Sequence, residues 1–177
     1  MSEQNEAFSA LNAIASKFGE AFSGLPAEKK IVETRKLISF AVLGREYVIP
    51  LGEVSEILAL VECTKLPRVK SWVKGVANVR GRLLPVVDFA AFLGGALSGM
   101  PGERRIMVLD AGGVYVGLMV DRVFGMKTLP VDQYEDTADD KALNDFIDGQ
   151  YMEEGEKLPL FRPLKLIQDR RFMSVSA

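Results

Sequence analysis

Histidine is absent from the 177 residues. Its absence excludes Ser-His-Asp and Cys-His catalysis, histidine-ligated zinc and the phospho-accepting histidine of a sensor kinase, while leaving carboxylate and lysine chemistry open. There is one cysteine, Cys63, which excludes an internal disulfide and a thiolate metal cluster. In the mixed run Val61-Glu62-Cys63-Thr64 it reads as a small core or strand residue rather than a reactive thiol. No uninterrupted apolar run approaches the ~20 residues that cross a bilayer. The opening Met1-Ser2-Glu3-Gln4-Asn5-Glu6 is acidic and lacks the basic-then-apolar layout of a secretion signal. A soluble, intracellular protein without membrane insertion is therefore expected. The net charge is only −2, so no global field favours nucleic acid or an acidic membrane.

What is present is an ordinary globular composition, 48% hydrophobic and 26% charged. Phe8, Leu11, Ala15, Phe18 and Phe22 recur at helical spacing, so residues 5–25 are predicted to form an amphipathic helix, stopped by Gly24 and Pro26. The charged stretch 27–36 reads as a linker. After Lys36 the period changes to two. Ile38, Phe40 and Val42 alternate with Leu37, Ser39 and Ala41, and Leu43-Gly44-Arg45-Glu46 predicts a hairpin turn into Tyr47-Val48-Ile49. Ile106–Leu109 and Val114–Val120 form a second hairpin around Gly112-Gly113, and further strands are predicted near 59–66, 72–79, 83–87, 123–131, 146–152 and 157–162. Many short strands punctuated by glycine and proline indicate an all-β barrel or sandwich. Short helices are predicted at Gly52–Leu58 and at Asp88–Gly94, the latter with Asp88 as N-cap and Gly94 as left-handed stop. The glycine-rich break 94–102 separates two strand groups, which suggests two barrel-like halves.

Charge is uneven. Between Thr64 and Val87 lie six bases and no acid, and between Thr128 and Glu156 ten acids and one base, giving nets of +6 and −9. These tracts read either as solvated loops or as opposite poles suited to assembly. Asp136, Asp139 and Asp140 lack the calcium-loop spacing and have no facing acidic motif, so neither a metal nor carboxylate catalysis is expected there. The glycines form neither a dinucleotide fingerprint nor a Walker loop, and no cofactor is implied. Nucleic-acid or ligand binding by a stand-alone β-barrel is the alternative function. Trp72 alone interleaves the six bases, a thin platform for stacking.

The segment Val76–Asp88 is the most informative. Asn78 and Gly81 fit a turn, and Leu83-Leu84-Pro85-Val86-Val87 re-enters the core as a strand whose proline implies an edge or bulge. Arg80 at the turn needs an acidic partner or a surface that faces one. Leu66-Pro67, then Val73-Lys74-Gly75-Val76-Ala77-Asn78-Val79-Arg80-Gly81, then Leu84-Pro85-Val86-Val87-Asp88 resembles the signature of CheW-type chemotaxis coupling proteins. Tyr47–Ile57 and Val116–Val123 are similar to two further family segments, so the resemblance covers residues 36–167. Trp72-Val73-Lys74 and Val123-Phe124-Gly125-Met126 bring it nearest to the coupling proteins of type IV pilus (twitching motility) chemosensory pathways.

The resemblance implies two packed five-stranded SH3-like β-barrel subdomains over 35–177, with residues 1–34 left as the amphipathic helix and linker. It implies no catalysis. It implies a cytoplasmic adaptor, working in membrane-associated receptor arrays, that joins a chemoreceptor's cytoplasmic tip to the regulatory domain of a CheA-type histidine kinase. By motif, Val54, Glu56 and Ile57 fall on the coupling surface, Gly75 on the family's glycine and Arg80 on its Asn-x-Arg-Gly arginine. Val116, Met119, Val120 and Val123 are expected along a receptor groove between the barrels, and Glu56 is expected to pair with Arg80. Phe161-Arg162-Pro163 departs from the usual apolar closing strand.

Overall fold

The computed structural model describes residues 32–138 and 140–177. The helix expected over 5–25 and the first half of its linker lie outside them. Eleven strands follow in chain order: β1 (Thr34–Val42), β2 (Arg45–Pro50), β3 (Val54–Leu58), β4 (Val73–Val79), β5 (Arg82–Asp88), β6 (Arg105–Ala111), β7 (Val114–Val120), β8 (Arg122–Pro130), β9 (Tyr134–Glu135), β10 (Ile147–Glu153) and β11 (Glu156–Phe161). They form a five-stranded sheet, β3-β6-β7-β5-β4, and a six-stranded sheet, β8-β1-β2-β11-β10-β9, whose sixth member is two residues long.

The glycine-rich break does not divide them. The first hairpin, β1–β2, lies in the sheet of β8–β11, whereas β6 and β7 join β3–β5. Burial on both faces explains the exchange. Leu37 and Val48 fill the inside of the six-stranded sheet with Leu129, Tyr151, Leu158 and Leu160. Their neighbours Ile38, Phe40, Tyr47 and Ile49 face the other way, into a central core shared with Met107, Leu109 and Leu118. A third cluster, Ala77, Leu84, Val86, Ile106 and Val108, fills the five-stranded sheet. Each sheet thus has its own core, and a larger one lies between them.

The outer strands of each sheet are linked, in different ways. Beyond β3, Thr64 exchanges two backbone hydrogen bonds with Val76 of β4, at 2.9 and 3.0 Å, so the two outer strands of the five-stranded sheet are tied together. In the other sheet, outer strands β8 and β9 are consecutive in the chain, joined by one 3-10 turn, Val131–Gln133. The same device, a 3-10 turn at Leu51–Glu53 after Pro50, links β2 to β3. The predicted helix over Gly52–Leu58 is therefore this turn plus a strand. Pairing of Glu56, Ile57 and Leu58 with Val108, Met107 and Ile106 overrides a weak helical spacing. Residues 59–66 contribute only the Thr64 bridge, and Leu60, Val61 and Leu66 stay exposed.

Other expectations stand or shift in detail. Helix α1 (Phe89–Phe92) is capped by Asp88, whose carboxylate accepts the Ala91 N–H at 2.9 Å, and Gly94 follows at φ 84°. Pro85 is not on an edge strand, since β5 lies between β7 and β4, but the β5–β7 ladder begins only at Val86 and so asks nothing of Pro85. Phe161 is fully buried and ends β11 cleanly, and Pro163 opens α2 (Pro163–Gln168) at a position where its missing N–H costs no hydrogen bond. Helix α3 (Arg170–Met173) then returns the chain to the five-stranded sheet, where Phe172 stacks on Trp72 with centroids 5.8 Å apart.

The hairpins β4–β5 and β10–β11 repeat each other at a constant offset. Gly75 and Gly149, Arg80-Gly81 and Glu154-Gly155, and Pro85 and Pro159 occupy matching places, with Arg80 and Glu154 at φ 51° and 50°. Even the ion pairs match with signs reversed, Lys74–Asp88 at 3.0 Å and Asp148–Arg162 at 2.7 Å.

Candidate protein-binding site

The tip of β4–β5 is a two-residue turn with Arg80 at φ 51° and Gly81 at φ 81°, the left-handed pair that suits the twist of a hairpin. The Gly81 N–H donates to Asn78 Oδ1 at 2.8 Å and fixes the turn. Glycine is at ease there. For arginine the left-handed conformation costs roughly 1 kcal/mol.

From the turn, Arg80 reaches β3, where its Nη2 lies 2.7 Å from Glu56 Oε1. The expected pair is present, and it crosses the seam where the edges of the five-stranded sheet meet. Arg80 keeps 82% of its side chain in solvent and Glu56 25%, and pairs this exposed contribute only ~0–1 kcal/mol. Strain and ion pair roughly cancel. The chain gains little stability from an arginine here, while the pair holds a guanidinium in a fixed, outward orientation. On β3 Ile57 is exposed and Val54 half-buried, and on β5 Leu83 is exposed to 69%. Leu83 was not singled out in the sequence, although period two in Leu83-Leu84-Pro85-Val86 puts it opposite the buried Leu84 and Val86.

Gly75 has a different place. It is buried at φ 134°, and a Cβ there would lie 2.2 Å from the Thr64 carbonyl oxygen. Its role is to let the chain beyond β3 cross over β4, which positions the site without lining it.

The four residues expected along one groove are not brought together. β7 sends Val116 and Val120 into the central core and Met119 to the opposite face, against the core of the five-stranded sheet. Residues an odd number of positions apart on one strand face opposite ways, so Met119 cannot share a surface with Val116 and Val120. Val123 is half-buried against the central core, at the start of an accessible apolar strip carried by β8. A bulge opposite Ser39 and Phe40 pairs Phe40 with Val123 and Ile38 with Met126, leaving Phe124 as the extra residue. Phe124 is 49% exposed and Met126 61%, and the Arg122 guanidinium lies over the Phe124 ring at 5.3 Å. A glycine interrupting the apolar run Val123-Phe124-Gly125-Met126 was the available signal.

The rival chemistries fare poorly. Asp140 is buried and fully engaged: it accepts from the Tyr47 hydroxyl at 3.1 Å and from the Ala142 and Leu143 N–H groups at 2.9 and 2.7 Å, and pairs with Arg45 at 2.6 Å. Burial first, then the Asp140 charge, pushes the Tyr47 phenol far above its ordinary value. Asp145, Asp148 and Glu153 are likewise paired with Arg171, Arg162 and Lys127. Among the described residues no cluster of three or more acidic or cysteine side chains could hold a metal. Trp72, needed as a stacking platform for bases, is buried against Phe92 and Phe172.

The profile of the CheW-like domain matches residues 36–171. The chain belongs to the CheW-like family. Protein PilI of Pseudomonas aeruginosa is 42% identical to this CheW-like protein over 178 residues, 99% of each chain. The chemotaxis protein CheW of Rhizobium meliloti is 34% identical over 105 residues, 59% of this chain and 68% of that one. The scaffolding protein TtCheW from Thermoanaerobacter tengcongensis superposes with a TM-score of 0.66 at 22% identity, over 73% of this chain and 90% of the other. The two sheets are thus the paired SH3-like subdomains of the CheW-like fold. Among the described residues no helix is long and apolar enough to cross a membrane.

Proposed function

We propose that this CheW-like protein is a non-catalytic adaptor that couples the cytoplasmic tip of a chemoreceptor to the regulatory domain of a CheA-type histidine kinase, in the chemosensory control of type IV pili and twitching motility. The observation that carries the proposal is the Arg80–Glu56 pair, a guanidinium held outward from a strained turn where it adds little to the protein's own stability. Val54, Glu56, Ile57 and Arg80 form the kinase-facing surface, with Gly75 shaping it from below. The receptor helix docks along the other accessible strip, Val123, Phe124 and Met126 of β8. Similarity to Protein PilI over 99% of both chains supports the pilus assignment.

An adaptor of this kind acts by geometry. Two surfaces on one folded body bias the kinase toward the arrangement that the receptor favours, and the size of the effect is the difference in binding free energy between the two arrangements. Such work takes place in the cytoplasm, at membrane-associated receptor arrays.

The test is assembly of a ternary complex from the full chain, a receptor signalling tip and a kinase regulatory domain, followed by co-sedimentation, with single-stranded nucleic acid as a competing ligand. Capture of the kinase domain by the receptor only when the chain is present is expected. Binding to the nucleic acid with no capture would replace the adaptor reading by the stand-alone β-barrel.

A further inference from the structure

Asp121 is the one residue between β7, in the five-stranded sheet, and β8, at the edge of the six-stranded sheet. The chain passes from one subdomain to the other across this single position. Its side chain is buried and points into the junction. Oδ1 accepts the Ser98 N–H, while Oδ2 accepts the Ser98 hydroxyl at 2.9 Å and the Gly44 N–H at 3.4 Å. Its own N–H donates to the Ala41 carbonyl at 3.0 Å. Three separate segments therefore meet on one carboxylate: the β1–β2 turn, the glycine-rich stretch after α1, and the crossover itself. Leu43 closes the same joint by packing over Gly95, where a Cβ would come within 2.4 Å of Leu43 Cδ2. Arg122 adds a looser tie to Glu103 at 3.6 Å.

The donors to the Asp121 carboxylate, two backbone N–H groups and one hydroxyl, are all uncharged. A buried carboxylate is costly, and it is kept only where its donors are fixed in place. Those donors come from both subdomains' connections, so the carboxylate sets how β8 leaves the end of β7. β8 carries the accessible strip Val123, Phe124 and Met126. On the other side, β7 pairs with β6, and β6 pairs with β3, which carries Glu56.

We infer that Asp121 is a positioning residue that locks the direction of β8 to the five-stranded subdomain, so that docking on β8 is felt at the Glu56–Arg80 surface. The inference rests on the adaptor function proposed above. Without the carboxylate each surface still binds its own partner, but the two no longer report to each other.

The experiment uses the full chain, wild type and Asp121→Ala, Asp121→Asn and Ser98→Ala, with a receptor signalling tip and a CheA-type kinase. Affinity for each partner is measured separately, and receptor-dependent control of kinase activity is measured with the adaptor saturating. Asp121→Ala is expected to bind each partner within about twofold of wild type yet lose about fivefold or more of receptor control, the range expected when a coupling element is removed. Ser98→Ala and Asp121→Asn are expected to show a smaller loss in the same direction. A merely structural residue would change binding and control together. Full control in a folded Asp121→Ala that binds both partners overturns the inference. If Asp121→Ala does not fold, full control in both milder variants overturns it instead. Failure of the wild-type chain to bind either partner refutes the adaptor function. Amide exchange still reads the joint in that case: protection at Gly44 and Ser98 must fall in Asp121→Asn, and unchanged protection refutes the lock by itself.

Discussion

At Arg80 two small energies oppose each other, and the balance can be measured. Replacing Arg80 by glycine relieves the left-handed strain at φ 51° and removes an exposed ion pair. The two changes nearly cancel, so Arg80→Gly is expected to alter the unfolding free energy by less than about 1 kcal/mol in urea titrations. Its affinity for the kinase regulatory domain is expected to fall at least about tenfold, the loss of one charge-assisted contact. Gly75 is the opposite case. A Cβ at 2.2 Å from the Thr64 oxygen forces the edge contact of the five-stranded sheet apart. Gly75→Ala is therefore expected to cost at least about 2 kcal/mol in the same titration, with binding lost only as folding is lost. That Arg80 needs an acid within reach was legible in the sequence, and the family resemblance pointed to Glu56 as that acid. The turn's handedness at a non-glycine residue was not legible, and neither was the crowding that makes Gly75 structural.

At the scale of one strand, β8 matters most. Its alternation was readable, but the bulge that turns Phe124 outward comes from its pairing with β1 and leaves only a glycine in the sequence. The family resemblance placed Val116 and Val120 on a groove, and the strand's own pattern could not correct it. Alternation in β7 separates two faces but does not say which is covered when both are packed, and here the valine face lies in the central core. Phe124→Asp and Met126→Asp change side chains that are 49% and 61% exposed, so unfolding should shift by less than about 1 kcal/mol. Receptor-tip binding should be lost in both, with kinase-domain binding retained, as read by co-sedimentation with each partner alone. The predicted helix at Gly52–Leu58 failed for a related reason. A five-residue strand carries too little periodicity to outweigh the pairing offered by β6.

At the scale of the whole molecule, strand content and the CheW-like resemblance were legible over most of the chain, but the exchange of hairpins between sheets was not. Residues distant in sequence decide it, through the burial of β1 on both faces. The charged tracts read as opposite poles, yet the fold pairs many of their acids with bases from elsewhere. One consequence is a pH dependence. Lys165 above all, then Arg162, hold the Asp148 carboxyl below its ordinary 3.8, so its folded value lies under its unfolded one. The stability it contributes is present above the unfolded value and is lost as pH falls through the lower folded value. Glu53, which shares Arg162, has its carboxyl raised by burial and acts in the opposite direction, weakening the acid limb without removing its main source. Urea midpoints should therefore fall as pH drops from about 5 through 3.8 and below, and fall less in Asp148→Asn. The most direct measurement concerns the paired charges at the β3–β4 seam: the affinity of the kinase regulatory domain for Glu56→Arg, for Arg80→Glu and for the double exchange. Each single reversal puts like charges on the two sides of the β3–β4 seam and should weaken binding at least about tenfold. The exchange should restore most of that loss, because the pair forms again with its ends swapped. Binding unaffected by the single reversals, or no recovery in the double variant, would contradict the assignment of this surface to the kinase.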